Sequence, residues 1–175
     1  NPKLPAVYTP HPLYDNYGPC MSLEQARAEL KIPVAEKVVL FFGFIRQYKG
    51  LDMLLVALSK AELKKMNVKL LLAGEFYGDE GYYQKLIEKY QLQDRIYLHT
   101  SFIPNDAVGK YFCAADVVIL PYRSATQSGI TQVAYHYDVP MIVTRVGGLP
   151  ELVHDQVVGL VVEPNTEEIA KGIIA

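Results

Sequence analysis

DVVILPYRSATQSGITQVAYHYDVP, residues Asp116 to Pro140, changes its hydrophobic period once, and that change decides the architecture. Asp116 to Pro121 is a continuous apolar run, too short for an amphipathic helix, and reads as a strand buried on both faces. The small, polar run Ser124 to Gly129 ends it. Ile130, Val133, Ala134 and Tyr137 then fall at i, i+3, i+4 and i+7, and Pro140 stops the helix they imply. A helix that starts just past the carboxyl end of a buried strand presents free N–H groups and the positive end of its dipole, which attract phosphate. An ordinary Ser/Thr-capped core helix would carry the same residues, and the local pattern leaves both readings open.

Outward from this unit the same alternation repeats. Asn1 to Gly18, with four prolines and several aromatics, has no regular period, and residues 1–36 form a lead-in with one short helix. Ser22 and Gln25 have the spacing of a capping box, with Leu23, Ala26 and Leu30 along one side. Strand signals at Lys37–Gly43 and Val68–Gly74 alternate with helix signals at Leu51–Lys65 and Gly81–Gln91; in the latter, Tyr83, Leu86, Ile87 and Tyr90 make the stripe. Arg95–Thr100 reads as strand, and Asn105 as the cap of a helix with Val108, Tyr111, Phe112 and Ala115 inside. Beyond Pro140 come strands at Met141–Thr144 and Gly159–Glu163, and a helix from Thr166 that the chain end cuts short. Such a series specifies an α/β protein: a doubly wound, mostly parallel sheet flanked by helices, one domain over residues 1–175.

Composition narrows the function. Half of the 175 residues are apolar and 21% are charged, so a packed core is expected rather than disorder. A net charge of −2 and a pI near 6.1 argue against nucleic-acid binding by bulk electrostatics. Cys20 and Cys113 lack CxxC spacing, and His11, His99, His136 and His154 are scattered, so neither a metal nor a cofactor is expected. The thiols suit a reducing cytoplasm, and the longest apolar run, Val38 to Ile45, is far short of the ~20 residues a membrane helix needs.

In a doubly wound sheet the ligand crevice lies beyond the carboxyl ends of the strands, so four loops carry the candidates. Gly43 to Gly50 places Arg46 and Lys49 just before a helix, where cations oppose the dipole unless an anion lies between. It is neither a Walker A loop nor GxGxxG, and a solvated turn would also accommodate it. Gly74 to Gly78 lets backbone approach a ligand closely. Ser124 to Thr131 supplies the helix start. Arg145 to Glu151 adds glycines and one carboxylate, Glu151, suited either to a hydroxyl-rich ligand or to a helix start.

Together these pieces carry a family resemblance. FFGFIRQYKGLD (Phe41–Asp52), LLLAGEF (Leu70–Phe76), ADVVILPYRS (Ala115–Ser124), VPMIVTRVGGLPELV (Val139–Val153) and GLVV (Gly159–Val162) resemble the C-terminal, donor-nucleotide-binding lobe of family 4, or group 1, GT-B glycosyltransferases. The likeness runs from about His11 to Ala175 and rests on the ordered set rather than on any one motif. It implies a Rossmann-like lobe that binds a nucleoside diphosphate sugar for retaining transfer of a hexosyl group to an acceptor hydroxyl, in cell-surface polysaccharide or glycoconjugate synthesis. Arg46 and Lys49 would grip the donor diphosphate, with Ser128, Gly129, Ile130 and Thr131 cradling phosphate; no catalytic residue is assigned. The implied partners are the nucleotide sugar and a glycan or lipid-linked acceptor held by an N-terminal lobe absent from this chain, which alone should be inactive. The implied location is cytoplasmic, with peripheral association at the inner face of the membrane.

One departure concerns the sugar. Such families usually carry two glutamates with seven residues between them, and a gapless count back from Pro140 puts Ala125 and Val133 there. Gln127 and Gln132 lie nearby, and with Glu151 they are the candidates for sugar or ribose contacts. Two alternatives stand beside this reading: another GT-B sugar-nucleotide enzyme of epimerase type, and a non-catalytic nucleotide-binding α/β module such as a response regulator. The latter would need an acidic cluster where this chain has glycine and cations.

Overall fold

The computed structural model describes residues 16–153 and 156–175. His11, His154 and most of the lead-in therefore lie outside the described residues. Six strands form one sheet: β1 (Lys37–Phe42), β2 (Val68–Ala73), β3 (Ile96–His99), β4 (Val117–Leu120), β5 (Met141–Thr144) and β6 (Gly159–Val162). Their order is β3-β2-β1-β4-β5-β6, and each neighbouring pair is parallel, so the sheet is wholly parallel rather than mostly so. The order reverses between β1 and β4, which opens a crevice at their carboxyl ends.

Burial on both faces explains the continuous apolar strands. Val38, Leu40, Leu71, Val118, Leu120, Met141 and Val143 belong to one buried cluster, with α1 (Leu23–Leu30), α5 (Asn105–Ala114) and α6 (Gly129–His136). Val39, Phe41, Leu70, Leu72, Ile119 and Ile142 belong to the other, with α2 (Leu51–Leu58), α3 (Ala61–Lys65), α4 (Glu80–Lys89) and α8 (Thr166–Ile174). Successive residues alternate between clusters, as the two-residue period of a strand requires. The short α7 (Leu149–Leu152) follows β5.

Apart from shifts of one or two end residues, two helix assignments differ from the sequence expectation. The segment Leu51–Lys65 is two helices, because the chain turns at Ser59–Lys60. A distant side chain supports the break: the Arg95 guanidinium donates to Leu58 O at 2.8 Å and to Leu63 O at 2.7 Å. It also donates twice to Val68 O, at 3.1 and 2.7 Å, which ties the break to the start of β2. In α5 the cap position falls on Pro104, whose extended backbone precedes Asn105 as the first helical residue. By contrast, the capping box of α1 forms with both of its reciprocal bonds, Ser22 to Gln25 and back.

α1 is fastened at the amino end of the sheet through Arg27, which is 1% exposed. Its guanidinium donates to the carbonyls of Ala114 (2.9 Å), Val34 (2.5 Å) and Glu36 (2.9 Å), and pairs with Asp116 at 2.9 Å. Asp116 in turn accepts from the backbone N–H of Val38 at 2.6 Å. One buried cation thus joins the lead-in helix, β1 and the approach to β4.

Candidate active site at the carboxyl end of the sheet

The crevice between β1 and β4 holds a cleft of about 320 Å³, lined among others by Tyr17, Phe42, Lys49, Tyr122, Gln127 and Ser128 to Ile130. Its construction begins at Gly50. This residue has φ +70° and ends the 3₁₀ turn Gln47–Lys49 while starting α2. A Cβ here would fall 1.9 Å from Pro121 O, so only glycine lets the loop after β1 lie against the end of β4. The consequence is the placement of the preceding lysine.

Lys49 is 8% exposed, and its ammonium lies 5.7 Å from the Tyr122 ring centroid. A Cβ built on Gly43 would be 3.2 Å from Lys49 Nζ and 3.5 Å from Ile130 Cδ1, which locates the ammonium between the end of β1 and the start of α6. It makes no hydrogen bond or ion pair among the described residues. Burial, with a smaller contribution from the nearby Arg46 cation, lowers its pKa to about 8.

The start of α6 faces the same space. Ser128 caps it, accepting from Ile130 N at 3.3 Å, and its hydroxyl also meets Tyr122 Oη at 3.2 Å. Burial pushes the Tyr122 phenol up to about 12, so it stays protonated as a donor. Thr131 is fully buried and spends its hydroxyl on Ser128 O at 2.6 Å. What remains for an anion is the backbone N–H of Gly129, the Ser128 hydroxyl and the helix dipole, opposite the Lys49 ammonium.

The two loop cations part company. Arg46 is exposed, and its guanidinium stacks 4.5 Å from the Tyr77 ring centroid and 6.0 Å from that of Phe44, on the rim rather than in the cleft lining. Gln127 lines the cleft, whereas Gln132 is 6% exposed and is absent from its lining. Val133 lines the cleft as an apolar wall, and Ala125 is half-buried. Glu151 is exposed on α7, outside the cleft lining. The glycines before it position the helix-start loop: Gly148 N donates to Thr126 O at 3.1 Å, and a Cβ on Gly147, at φ +51°, would sit 1.5 Å from Ala125 O.

Sequence reasoning missed the clasp that holds the first and third loops together. Arg123 grips Asp52 with two bonds of 2.6 and 2.7 Å, while its backbone N–H donates to Tyr48 O at 2.7 Å. Asp52 sits in the first turn of α2 and Arg123 in the loop after β4, and 71 positions apart nothing in the sequence pairs them. Tyr17, another wall of the cleft, was hidden because its lead-in segment has no period. Among the described residues no group of three or more His, Cys, Asp or Glu side chains could hold a metal, and no helix is long and apolar enough to cross a membrane. His99 and His136 pack against Tyr111 and Tyr137 instead.

A family model described as glycosyl transferases group 1 matches residues 36–175, four fifths of the chain and every strand of the sheet. The chain belongs to this family. Among its relatives is D-inositol 3-phosphate glycosyltransferase of Segniliparus rotundus, 34% identical over 142 residues, which cover 79% of this chain and 31% of that protein. The C-terminal domain of a glycosyl transferase group 1 family protein, LpcC, from Francisella tularensis shares the fold with a TM-score of 0.74 at 24% identity, over 89% of this chain and 82% of that domain. Anabaena HepE superposes with a TM-score of 0.74 at 23% identity, over 87% of this chain and 42% of HepE. The chain is thus the C-terminal, Rossmann-like lobe of a group 1 GT-B glycosyltransferase. It spans about a third of the length of the curated relative it matches.

Proposed function

We propose that this lobe binds a nucleoside diphosphate sugar, by its diphosphate, for retaining transfer of a hexosyl group to an acceptor hydroxyl. The observation that carries the reading is Lys49: a residue only 8% exposed, whose ammonium has no hydrogen-bond or ion-pair partner among the described residues, set opposite the start of α6. A buried charge without a partner is costly, and a diphosphate would supply the missing one. HepE has been crystallised with UDP, which makes UDP the probe of choice.

In this mechanism Lys49 and the backbone N–H of Gly129 take up the negative charge that grows on the departing diphosphate, with Ile130 N–H joining them when it gives up the Ser128 cap. Ser128 orients that charge while Tyr122 holds the serine hydroxyl. Arg46 reaches the diphosphate by leaving its aromatic stack, and Gln127 is placed for a hydroxyl of the sugar or ribose. Glu151 and Gln132 enter the site by movement of the α7 loop and of α6, or serve the fold. The acceptor, a glycan or lipid-linked saccharide of a cell-surface polymer, is held by the other lobe, in the cytoplasm at the inner face of the membrane. The lobe alone binds the donor and transfers nothing, because no acceptor is positioned against the anomeric carbon.

Calorimetry with UDP and UMP tests the reading. UDP should bind at least about tenfold more tightly, since one charge-assisted hydrogen bond contributes roughly 1.5–3 kcal/mol. Equal affinities would remove the diphosphate assignment.

A further inference from the structure

We propose that Cys20 and Cys113 form an oxidisable dithiol whose disulfide clamps the segment carrying Tyr17, one wall of the cleft. Their sulfurs lie 3.7 Å apart across 93 positions of chain. The approach is built by a track along α5. Asp106, Gly109 and Cys113, spaced three and four apart, share one side of that helix.

Residues 18–20 follow this track in step. A Cβ on Gly18 would lie 2.8 Å from Asp106 O, and one on Gly109 would lie 3.2 Å from Pro19 O. Cys20 then meets Cys113. Tyr137 fastens the segment from the other side, its hydroxyl donating to Tyr17 O at 2.7 Å and Gly18 O at 2.8 Å. Gly109 N adds a bond to Tyr17 O at 3.2 Å. Both thiols are therefore held at short range by backbone contacts that do not depend on the sulfurs. Closing to the S–S bond length of about 2.05 Å requires less than ~2 Å of movement.

The two thiols have different roles. Cys20 is exposed, whereas burial pushes the half-buried Cys113 up to about 11. A peroxide meets Cys20 first: the thiolate sulfur attacks the peroxide, the O–O bond breaks, and Cys20 becomes a sulfenic acid as hydroxide leaves. The Cys113 sulfur attacks that sulfur, the S–O bond breaks, and the Cys113 proton leaves with the oxygen as water. Two thiols are oxidised to one disulfide and one peroxide is reduced to two waters. The product ties residues 20 and 113 covalently beside the Tyr17 wall.

The test treats the whole chain with one equivalent of hydrogen peroxide, followed by intact mass, alkylation of free thiols and thermal melting. The expected product is a monomer lighter by two hydrogens, with neither cysteine alkylated and one crosslinked peptide joining Cys20 to Cys113. Its melting temperature should rise by about 5–10 °C, and dithiothreitol should reverse both changes. Hydrogen exchange over residues 17–20 should slow in the oxidised form. Cys20→Ser, at an exposed position, and Cys113→Ser should each lose the mass change and the melting shift. Sulfinic acid on Cys20 with Cys113 still alkylatable, or a disulfide between two chains, would overturn the proposal. None of these readouts depends on nucleotide binding.

Discussion

Arg27 and Lys49 are both buried cations, 1% and 8% exposed, at opposite ends of the same sheet. At the amino end Arg27 spends its donors on three backbone carbonyls and the Asp116 carboxylate. At the carboxyl end, among the described residues, the Lys49 ammonium meets the face of Tyr122 and no hydrogen-bond or ion-pair partner. Desolvation is costly for both, but among the described residues only Arg27 is compensated. A compensated buried charge fastens elements together. An uncompensated one stores a demand for an anion, which is how a binding site differs physically from a structural joint.

The comparison breaks most visibly at the structural end. Arg27→Met should destabilise the protein by about 3–5 kcal/mol, because it leaves three carbonyls without their donor and takes the guanidinium from the Asp116 carboxylate. The melting temperature should fall by about 10 °C. A variant that melts like the parent would show that the joint is dispensable.

At the other end the same kind of change should have the opposite sign for stability. Lys49→Met should leave the unliganded melting temperature unchanged or raise it, since lowering the lysine pKa from 10.5 to about 8 costs the fold about 3 kcal/mol. UDP binding should weaken about 10- to 100-fold. Calorimetry showing unchanged affinity would move the anion site away from Lys49.

The pH dependence sharpens this further. With a folded pKa below the unfolded value, the folded chain binds fewer protons from pH 8 to 10.5, so Lys49 contributes rising stability across that window. Below about pH 8 the ammonium is charged and the cost is fully present. UDP affinity should run the other way, falling severalfold as pH rises through about 8. Titrations at pH 7 and 9 would show it, and the Lys49-dependent part should vanish in Lys49→Met.

The smallest effect is expected at the clasp. Arg123 is partly exposed, so Arg123→Lys, which keeps the charge but loses the two-pronged grip on Asp52, should cost under about 1 kcal/mol of stability. It should weaken UDP binding only a few-fold, by loosening the loop that presents Lys49. A loss as large as that of Lys49→Met would make Arg123 a direct ligand contact.

The strands, the sheet class and the α6 start were legible because they rest on local signals. Asp116–Pro121 is continuously apolar, Ser128 is a capping residue, and Ile130, Val133, Ala134 and Tyr137 keep a helical period. What was illegible depended on distant partners. Nothing within Leu51–Lys65 announces the break at Ser59–Lys60, because the donors that support it come from Arg95. The pairing of Arg123 with Asp52 and the Tyr17 wall were hidden for the same reason.

Arg46 and Lys49 show the limit most sharply. By sequence they are two cations three residues apart in one glycine-bounded loop, equivalent candidates for one anion. Side-chain direction separated them: Gly50 at φ +70° lets the turn press against Pro121, which sends Lys49 into the crevice and leaves Arg46 on the Tyr77 ring. The sequence by itself determined which residues alternate across a buried parallel sheet, since a two-residue period and a continuous apolar run are properties of the chain alone. Only the tertiary structure decided which cation is desolvated and meets no partner among the described residues, because burial and unmet charge depend on what the rest of the fold places beside it.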